Sequence, residues 1–452
     1  MNSDSRIDAL FQRLRRDAVL LHRPYPPQLA ANTNSKFGGL PTLPEDYAWP
    51  RMKDGRPLHF LVQIDCSALP FTSRLPDHGI LFFFALEDGD QVWDEAYLGD
   101  KGYRAIHAPH ATGEPVRAAP DDLPPISPYY PPSNQRPFLR EGEAGSNLHV
   151  EWPIELRAMN SWPDASALTE ADLGLPDSGH WLQRLSGLLV KNRQVMAQAE
   201  DEDRLRDAYH EQLEIRRLAA FRAASAYILS EGKPEGERSS GNTRLAQPIL
   251  AQEGPCAWPD RWVTIGYFCR AMRRELERLS AKHRPKDADA HIATAESWIA
   301  RADAVGPASP VTEADRNTFQ DWTLSLQQDE RNVVLNYSVG DCVILSCVAT
   351  IRHFAYDRDK AKLISPVVYE VLASHFQGNS VWGLKFSQML GYAPSSQQAR
   401  MTDDPAVCLL SLASDQGLGW MFGDVGEATF WISLADLEHA TFDGVAALVE
   451  GG

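Results

Sequence analysis

The chain has 452 residues, of which 43% are hydrophobic and 23% are charged, and its net charge is −17. Composition and length together are typical of a globular protein of about two to three domains that needs no disulfides to bury its core. The acidic excess argues against nonspecific binding of DNA or RNA, which requires a cationic surface. It is compatible with a basic protein partner and equally with a simple role in solubility.

Cysteine usage and the apolar runs predict a cytoplasmic protein. Six cysteines are spread along the chain without a C-x-x-C pair, a pattern typical of reduced thiols. The first residues are charged and amphipathic and lack the apolar core of a signal peptide. The longest nearly apolar run, CVILSCVATI, has 10 residues and is too short to span a bilayer. We therefore expect no membrane insertion.

The first 160 residues carry mainly strand signals, after one predicted helix over residues 5–22. The segment LHFLVQID (58–65) partly alternates, and GILFFFALE (79–87) is nearly all apolar, as in a strand buried on both faces. The proline-rich stretch 109–145 is incompatible with a helix and predicts a long surface loop. A further strand is predicted in LHVEWPIELRA, which follows it.

A helical block is predicted over residues 165–378. Its clearest evidence is an apolar series at spacings of three and four, formed by Trp262, Ile265, Cys269, Met272, Leu276 and Leu279. This spacing places all six side chains on one face of a helix. Within the block, the segment 229–248 is rich in glycine, serine and charge, which predicts a disordered loop.

Strand signals return in AVCLLSLASD (406–415) and EATFWIS (427–433), which flank the glycine-rich QGLGWMFGDVG. The order strands, helices, strands predicts an α+β fold in which the helices are segregated from the sheets. We expect three parts: residues 1–160, the inserted helical block 165–378, and residues 379–452. The first and last parts are expected to complete one sheet system.

The two ends of the chain resemble the YwqG-like family, a bacterial domain of unknown function. Near the start, the resemblance is carried by SKFGGLPTLPEDYAWP, PLHFLVQID and LPDHGILFFF. Near the end, it is carried by FSQMLGYAPSSQQ, VCLLSLASD and GWMFGDVGEATFWISLADLEHATFD. The matching parts cover about residues 31–90 and 385–443.

This resemblance implies an α+β protein built on antiparallel sheets, with no established catalytic activity. It also implies an immunity-like role, because relatives are associated with bacterial toxin–immunity gene sets. The usual members are much shorter, so the helical block departs from the family pattern and inherits no property from it.

The segment SKFGGLPTLP (35–44) contains the first candidate ligand-binding residues. Gly38 and Gly39 permit a positive φ and leave their backbone N–H groups bare, and Lys36 adds a positive charge. Consecutive bare N–H groups can form an anion-binding nest. The other interpretation is a structural turn that leads into the first sheet, and no Walker or dinucleotide-binding motif is present to favour a phosphate.

Two carboxylates complete the candidate set. Asp65 ends a predicted strand, and Asp424 lies in a turn between glycines just before another. Two neighbouring carboxylates can perform acid–base chemistry or hold a metal. An Asp in such a position also commonly caps its own backbone, so both interpretations stand.

Signals for metal and cofactor sites are weak. His107 and His110 lie three residues apart but without further ligands at suitable spacing, whereas zinc sites use three or four. There is no G-x-S-x-G nucleophile motif, and Cys347 and Cys408 lie in apolar runs typical of buried thiols. We therefore predict no metal and no cofactor.

Three functions are compatible with these patterns. The first is a non-catalytic cytoplasmic binding protein whose surface forms where the two ends meet, including an immunity-like protein that binds a basic partner. The second is a hydrolase in which Lys36, Asp65 and Asp424 converge on a cleft. The third is a scaffold whose helical block mediates oligomerisation. The sequence leaves the oligomeric state open.

Overall fold

The computed structural model describes most of the chain, in segments. These are residues 3–25, 33–71, 73–87, 91, 93, 95–111, 113–126, 147–168, 172–173, 193–225, 241–254, 257–279, 283–326, 333–354, 361–372, 379–380, 383–384, 386–393, 406–415 and 418–451. Part of the predicted proline-rich loop, residues 127–145, lies outside them.

Thirteen strands are formed within these segments. They are β1 (Arg16–His22), β2 (Lys36–Phe37), β3 (His59–Asp65), β4 (Ile80–Ala85), β5 (Tyr103–Ala108), β6 (Trp152–Pro153), β7 (Glu155–Ser161), β8 (Asn379–Ser380), β9 (Gly383–Leu384), β10 (Gln388–Leu390), β11 (Ala406–Ala413), β12 (Glu427–Ser433) and β13 (Ala446–Glu450).

The strands form two main antiparallel sheets. Sheet A has six strands in the order β13-β12-β11-β10-β1-β7, so strands from both ends of the chain pair side by side. Sheet B has five strands in the order β5-β4-β3-β2-β6, all from the N-terminal part. Strands β8 and β9 form a separate pair. The predicted α+β fold, with antiparallel sheets built from both ends, is confirmed.

Aromatic side chains join the two sheets face to face. Phe83 of β4 lies edge-on to Phe430 of β12 with ring centroids 5.2 Å apart. Phe37 of β2 makes the same kind of contact with Trp420, which precedes β12, at 5.1 Å. All six residues of β4 are buried, which explains its continuous apolar sequence. One contiguous core includes residues of both sheets and of the helices.

Ten α-helices lie in the described segments. They are α1 (Ser3–Leu14), α2 (Glu95–Leu98), α3 (Arg193–Ala224), α4 (Gly241–Leu250), α5 (Trp262–Arg278), α6 (Ala288–Val305), α7 (Glu313–Ser325), α8 (Val333–Phe354), α9 (Pro366–Val371) and α10 (Leu434–Glu438). The predicted apolar series of α5 is confirmed, because all six of its members are buried. None of the helices in these segments is long and apolar enough to cross a membrane.

The predicted helix over residues 5–22 is only half correct. Helix α1 ends at Leu14, and residues Arg16–His22 form β1 instead. Ala18 and Leu20 pack in a small cluster with Phe221 of α3, while Val19 belongs to the main core. Alternate residues of this run are therefore buried on opposite faces, as in a central strand. Tertiary packing overrides the helical pattern of the sequence here.

The predicted disordered loop over residues 229–248 is also partly wrong. Residues from Gly241 onward form α4, in which Ala246 and Ile249 are buried. Helix α4 packs against α8, and this contact stabilises a segment whose composition favours disorder. The part of the loop up to residue 240 lies outside the described residues.

Candidate functional site

The two adjacent glycines of SKFGG form a tight turn at the end of β2. Gly38 and Gly39 have φ values of +54° and +68°, in the left-handed region. Their N–H groups donate to the carbonyl oxygens of Leu61 and His149 at 2.8 and 2.9 Å. A Cβ on Gly38 would collide with the carbonyl oxygen of Val150. Both amides are therefore engaged within the chain, which favours the structural interpretation of this turn.

Lys36 is engaged in a similar way. Its Nζ lies 2.8 Å from Oε2 of Glu151, and the lysine side chain is largely buried whereas the glutamate is more exposed. Strand β2 pairs with β6, and this pairing sets Lys36 beside the segment that carries Glu151. The positive charge predicted to attract a ligand is thus neutralised by an acidic side chain of the same protein.

Asp65 caps the short 3-10 turn that follows β3. Its Oδ1 accepts hydrogen bonds from the backbone N–H of Ser67 at 3.0 Å and from the Ser67 hydroxyl at 2.6 Å. Its Oδ2 accepts from Nδ2 of Asn34 at 2.9 Å. The carboxylate is almost completely buried. Of the two interpretations of Asp65 in the sequence, the capping role is the one the geometry favours.

Asp424 occupies the exposed tip of the turn between β11 and β12. The turn itself is firmly held. Phe422 N–H donates to Oγ of Ser414 at 2.9 Å, and that hydroxyl donates to the carbonyl oxygen of Gly426 at 2.8 Å. Gly423 N–H donates to Oε1 of Gln91 at 3.0 Å. The rigid backbone therefore presents the carboxylate of Asp424 to solvent.

The two glycine motifs meet through His149. The backbone carbonyl of His149 accepts from Gly39, and its Nδ1 accepts from the indole Nε1–H of Trp420 at 3.0 Å. In contrast, no hydrogen bond or ion pair within the described segments joins Lys36, Asp65 and Asp424 to one another. The structure thus connects the motifs, though not the three predicted side chains.

His149 belongs to a buried polar group that we call the His149 cluster, formed by His59, Glu87, His149 and Trp420. Nε2 of His149 lies 3.7 Å from Oε1 of Glu87, beyond hydrogen-bond distance. The imidazole rings of His59 and His149 have centroids 6.2 Å apart. Nε2 of His59 contacts the carbonyl oxygen of Pro124 at 2.9 Å. Among the described residues, two ring nitrogens, Nδ1 of His59 and Nε2 of His149, have no hydrogen-bond partner.

These contacts assign the tautomers of both histidines. Because Nδ1 of His149 accepts from an indole, its proton sits on Nε2, and because Nε2 of His59 faces a carbonyl, its Nδ1 carries a lone pair. Burial lowers the pKa of His149 to about 3, and His59 adds to that effect. Burial also lowers the pKa of His59. At neutral pH the cluster therefore offers one neutral donor and one neutral acceptor beside a carboxylate.

This arrangement does not suit a metal ion. A histidine that binds a metal through Nε2 normally donates from Nδ1, whereas Nδ1 of His149 is an acceptor. Across the segments that the structure describes, no group of three or more His, Cys, Asp or Glu side chains is placed to hold a metal. The cluster instead suits structural polar contacts in the buried interior.

The predictions from sequence did not include the His149 cluster. His59 and His149 each lie between apolar residues, in PLHFLV and NLHVEW, and this is a weak signal for a buried imidazole. Their proximity depends on pairing between distant segments, which local spacing does not reveal.

The buried thiols are closer to expectation. Burial raises the pKa of Cys347 and Cys408 to about 12.

Fold and site together define an α+β protein with two packed antiparallel sheets, whose N- and C-terminal motifs are joined by a buried histidine. The chain matches the family described as a domain of unknown function (DUF1963) over residues 35–222 and 281–450, and it belongs to that family. No curated protein matches the chain. The two matched ranges contain both glycine motifs and the His149 cluster, and they leave out residues 223–280, where α4 and α5 lie.

Proposed function

We propose that the protein is a non-catalytic, cytoplasmic binding protein of the YwqG-like kind, with its partner surface where the two terminal segments meet. The observation that carries this proposal is the rigid display of Asp424. Ser414 and Gln91 hold the backbone of its turn, while the carboxylate faces solvent. Binding residues are commonly presented in this way, on a loop that a rigid scaffold positions.

The expected partner is a basic protein, as in an immunity-like role. The net charge of −17 favours encounter with a cationic surface, and electrostatic complementarity raises association rates more than it raises affinity. An exposed carboxylate on a fixed turn supplies a defined contact for a lysine or arginine of the partner.

The contacts of Lys36 and Asp65 support binding over hydrolysis. Lys36 is paired with Glu151, and Asp65 is occupied by Ser67 and Asn34. A catalytic acid or base must have a lone pair or a proton available to the substrate. The contacts of Lys36 and Asp65 within the chain make both side chains poorly suited to that role. The ligand-binding role of Gly38 and Gly39 remains a prediction, and their engaged amides weigh against an anion nest.

The experiment compares co-purification of the tagged full-length chain from its native cell with that of two charge-reversal variants. Asp424→Lys changes the proposed contact, and Asp321→Lys is the matched control on the exposed surface of α7. We expect one basic partner in stoichiometric amount at low salt, several-fold less of it with Asp424→Lys, and no change with Asp321→Lys. Light scattering of the purified chain gives its mass in the same preparation.

Two outcomes would overturn the proposal. One is the lack of any stoichiometric partner at low salt, and the other is an equal loss of the partner with both variants. A stable oligomer of the isolated chain that does not change with salt would favour the scaffold alternative instead.

A further inference from the structure

Strand β13 forms one edge of sheet A, and no strand pairs with its outer side within the described residues. Its sequence, AALVE, contains neither lysine nor proline, the residues with which natural proteins commonly protect an exposed strand edge. The side chains of Ala446, Leu448 and Val449 are half-buried. Strand β13 is therefore a short, apolar edge strand that can accept a further strand.

One close contact assigns the backbone groups on this outer edge. The carbonyl oxygen of Glu450 points towards Gly426, which directly precedes β12, because a Cβ on Gly426 would collide with it. Successive residues of an antiparallel strand direct their N–H and C=O groups to opposite sides. The groups of Ala447 and Val449 therefore point outward, and they have no hydrogen-bond partner among the described residues.

The start of this edge is closed by Lys101. Its Nζ donates to the carbonyl oxygens of Asp443 and Val445, both at 3.1 Å. Val445 lies two residues before Ala447, so its carbonyl also points outward, and the lysine satisfies it. The exposed carboxylate of Asp443 belongs to the same segment, and this end of the edge thus carries one charge of each sign.

The other end of the edge lies beside Asp424. A Cβ on Gly451, the residue that follows β13, would lie 3.1 Å from the backbone nitrogen of Asp424. The Asp424 carboxylate is exposed, and no cation among the described residues pairs with it. A basic residue on an added strand would complement this charge. The net charge of −17 disfavours a second copy of the same chain as the occupant.

We propose that an extended segment of the basic partner adds to β13 as an antiparallel strand, with a lysine or arginine near its N-terminal end facing Asp424. Antiparallel pairing continues the pattern of sheet A and places the N-terminal end of the added strand beside the C-terminal end of β13. The outward groups of Ala447 and Val449 supply the main-chain hydrogen bonds, which give affinity in this mode of recognition. This inference rests on the proposed function and specifies how its partner binds.

The test uses two peptides of the same composition, both acetylated at the N-terminus and amidated at the C-terminus. One has the sequence Lys-Thr-Val-Thr-Val-Thr-Gln, and the other has this sequence reversed. In antiparallel pairing the first peptide places its lysine beside Asp424, whereas the second places it beside Lys101. Titration calorimetry with the full-length chain at low salt should show saturable binding of the first peptide and several-fold weaker binding of the second.

Variants separate the strand edge from the charge. Val449→Pro removes an outward N–H, which an edge strand tolerates, and should weaken binding of the first peptide about tenfold. Val449→Ala keeps that N–H and should bind within about twofold of the unmodified chain. Asp424→Lys should weaken binding several-fold, and Asp321→Lys on α7 should leave it unchanged. Near-UV circular dichroism confirms that each variant is folded, and Ala447→Pro serves if Val449→Pro fails to fold.

Hydrogen exchange gives an independent measurement on the unmodified chain, in which the first peptide should slow exchange of the Ala447 and Val449 amides. Lack of saturable binding, equal binding of the two peptides, unchanged exchange, or undiminished binding by folded Val449→Pro would overturn the proposal. A dimer of the chain that dissociates in Val449→Pro would also overturn it, because a second copy would then occupy the edge.

Co-purification distinguishes this inference from the proposed function. If the basic partner is lost with Asp424→Lys but retained with Val449→Pro, the proposed function stands and the strand addition fails. If no partner co-purifies, the proposed function fails.

Discussion

The indole N–H of Trp420 donates a 3.0 Å hydrogen bond to Nδ1 of His149, a residue 271 positions earlier in the chain. The carbonyl oxygen of the same histidine accepts from Gly39, so His149 ties the turn of SKFGG to the segment before β12. Both side chains are buried. Their contact is a direct, buried polar link between the two ends of the chain.

Replacing Trp420 with phenylalanine measures this link. The change leaves the Nδ1 acceptor of His149 buried without a donor, which costs about 1–3 kcal/mol beyond the loss of ring volume. Trp258→Phe is the matched control, because Trp258 is equally buried and its Nε1 has no acceptor in the part of the chain that the structure describes. Urea unfolding of both variants gives the difference. Equal free energies of unfolding would show that the hydrogen bond contributes nothing.

Gly38→Ala is expected to be severely destabilising. Any residue with a side chain is strained at a positive φ, and the new Cβ would also overlap the carbonyl oxygen of Val150. Gly55 has a φ of +93° and open space around the position of a Cβ, so Gly55→Ala carries only the backbone strain of about 1–2 kcal/mol. We expect Gly38→Ala to exceed that cost by about 2 kcal/mol or more in urea unfolding. A similar cost at both positions would contradict the steric argument.

Acid should destabilise the protein through His149. Its pKa is about 3 in the folded protein and 6.5 when unfolded, so between these values the unfolded chain binds more protons. The contribution of His149 to the free energy of unfolding is therefore fully present above pH 6.5. It is lost as the pH falls below that value, by about 1.4 kcal/mol per pH unit. Burial lowers the pKa of His59 as well, which adds to the trend.

His149→Gln isolates that contribution, since glutamine keeps an acceptor for Trp420 but does not titrate. The free energy of unfolding, measured by urea titration from pH 7 to pH 4.5, should fall less steeply with pH in this variant. His210→Gln, at an exposed position on α3, is the control and should retain the slope of the unmodified protein. Identical slopes in all three proteins would refute the assignment.

The ion pair between Arg23 and Asp415 is a second link between distant segments. Arg23 Nε and Nη2 each donate to a carboxylate oxygen of Asp415 at 2.9 Å, and the guanidinium stacks on Trp152. Because the pair is largely buried, Arg23→Met should lower the free energy of unfolding by about 3–5 kcal/mol, since it removes the opposite charge from a buried carboxylate.

A double-mutant cycle with Asp415→Asn separates the pair from its surroundings. The exposed pair Arg51–Asp122 has the same two-contact geometry, and Arg51→Met should change the free energy of unfolding far less. A coupling free energy near zero for Arg23 and Asp415 would contradict a stabilising role for the buried pair.

Much of the architecture follows from long sequence patterns. The apolar series of α5 predicts a helix with one buried face, and the apolar run of β4 predicts a strand buried on both faces. Both predictions are confirmed. Strand β1 was not predicted, because a short apolar run fits a helix as well as a strand, and only packing against α3 and the main core decides between them. Helix α4 was missed for a similar reason, since α8 supplies the contact that orders it.

Some features of the candidate site can likewise be predicted from the sequence, whereas others depend on long-range packing. The cap that Asp65 forms with Ser67 and the positive φ of Gly38 and Gly39 are local features, so the turn chemistry of the sequence anticipates them. The contacts of His149 come from residues on both sides of the helical region. No spacing rule connects such positions, and only the completed sheets bring them together.

The strand order of sheet A also has a consequence for synthesis on the ribosome. Strand β1 pairs with β7 on one side and with β10 on the other, and β10 begins at Gln388. At ~5–20 residues per second, roughly 20–70 s separate the emergence of β1 from that of its second neighbour. Throughout this interval one edge of β1 lacks its native partner, and an open edge invites pairing with another nascent chain. Crowded polysomes are therefore where this topology is most vulnerable.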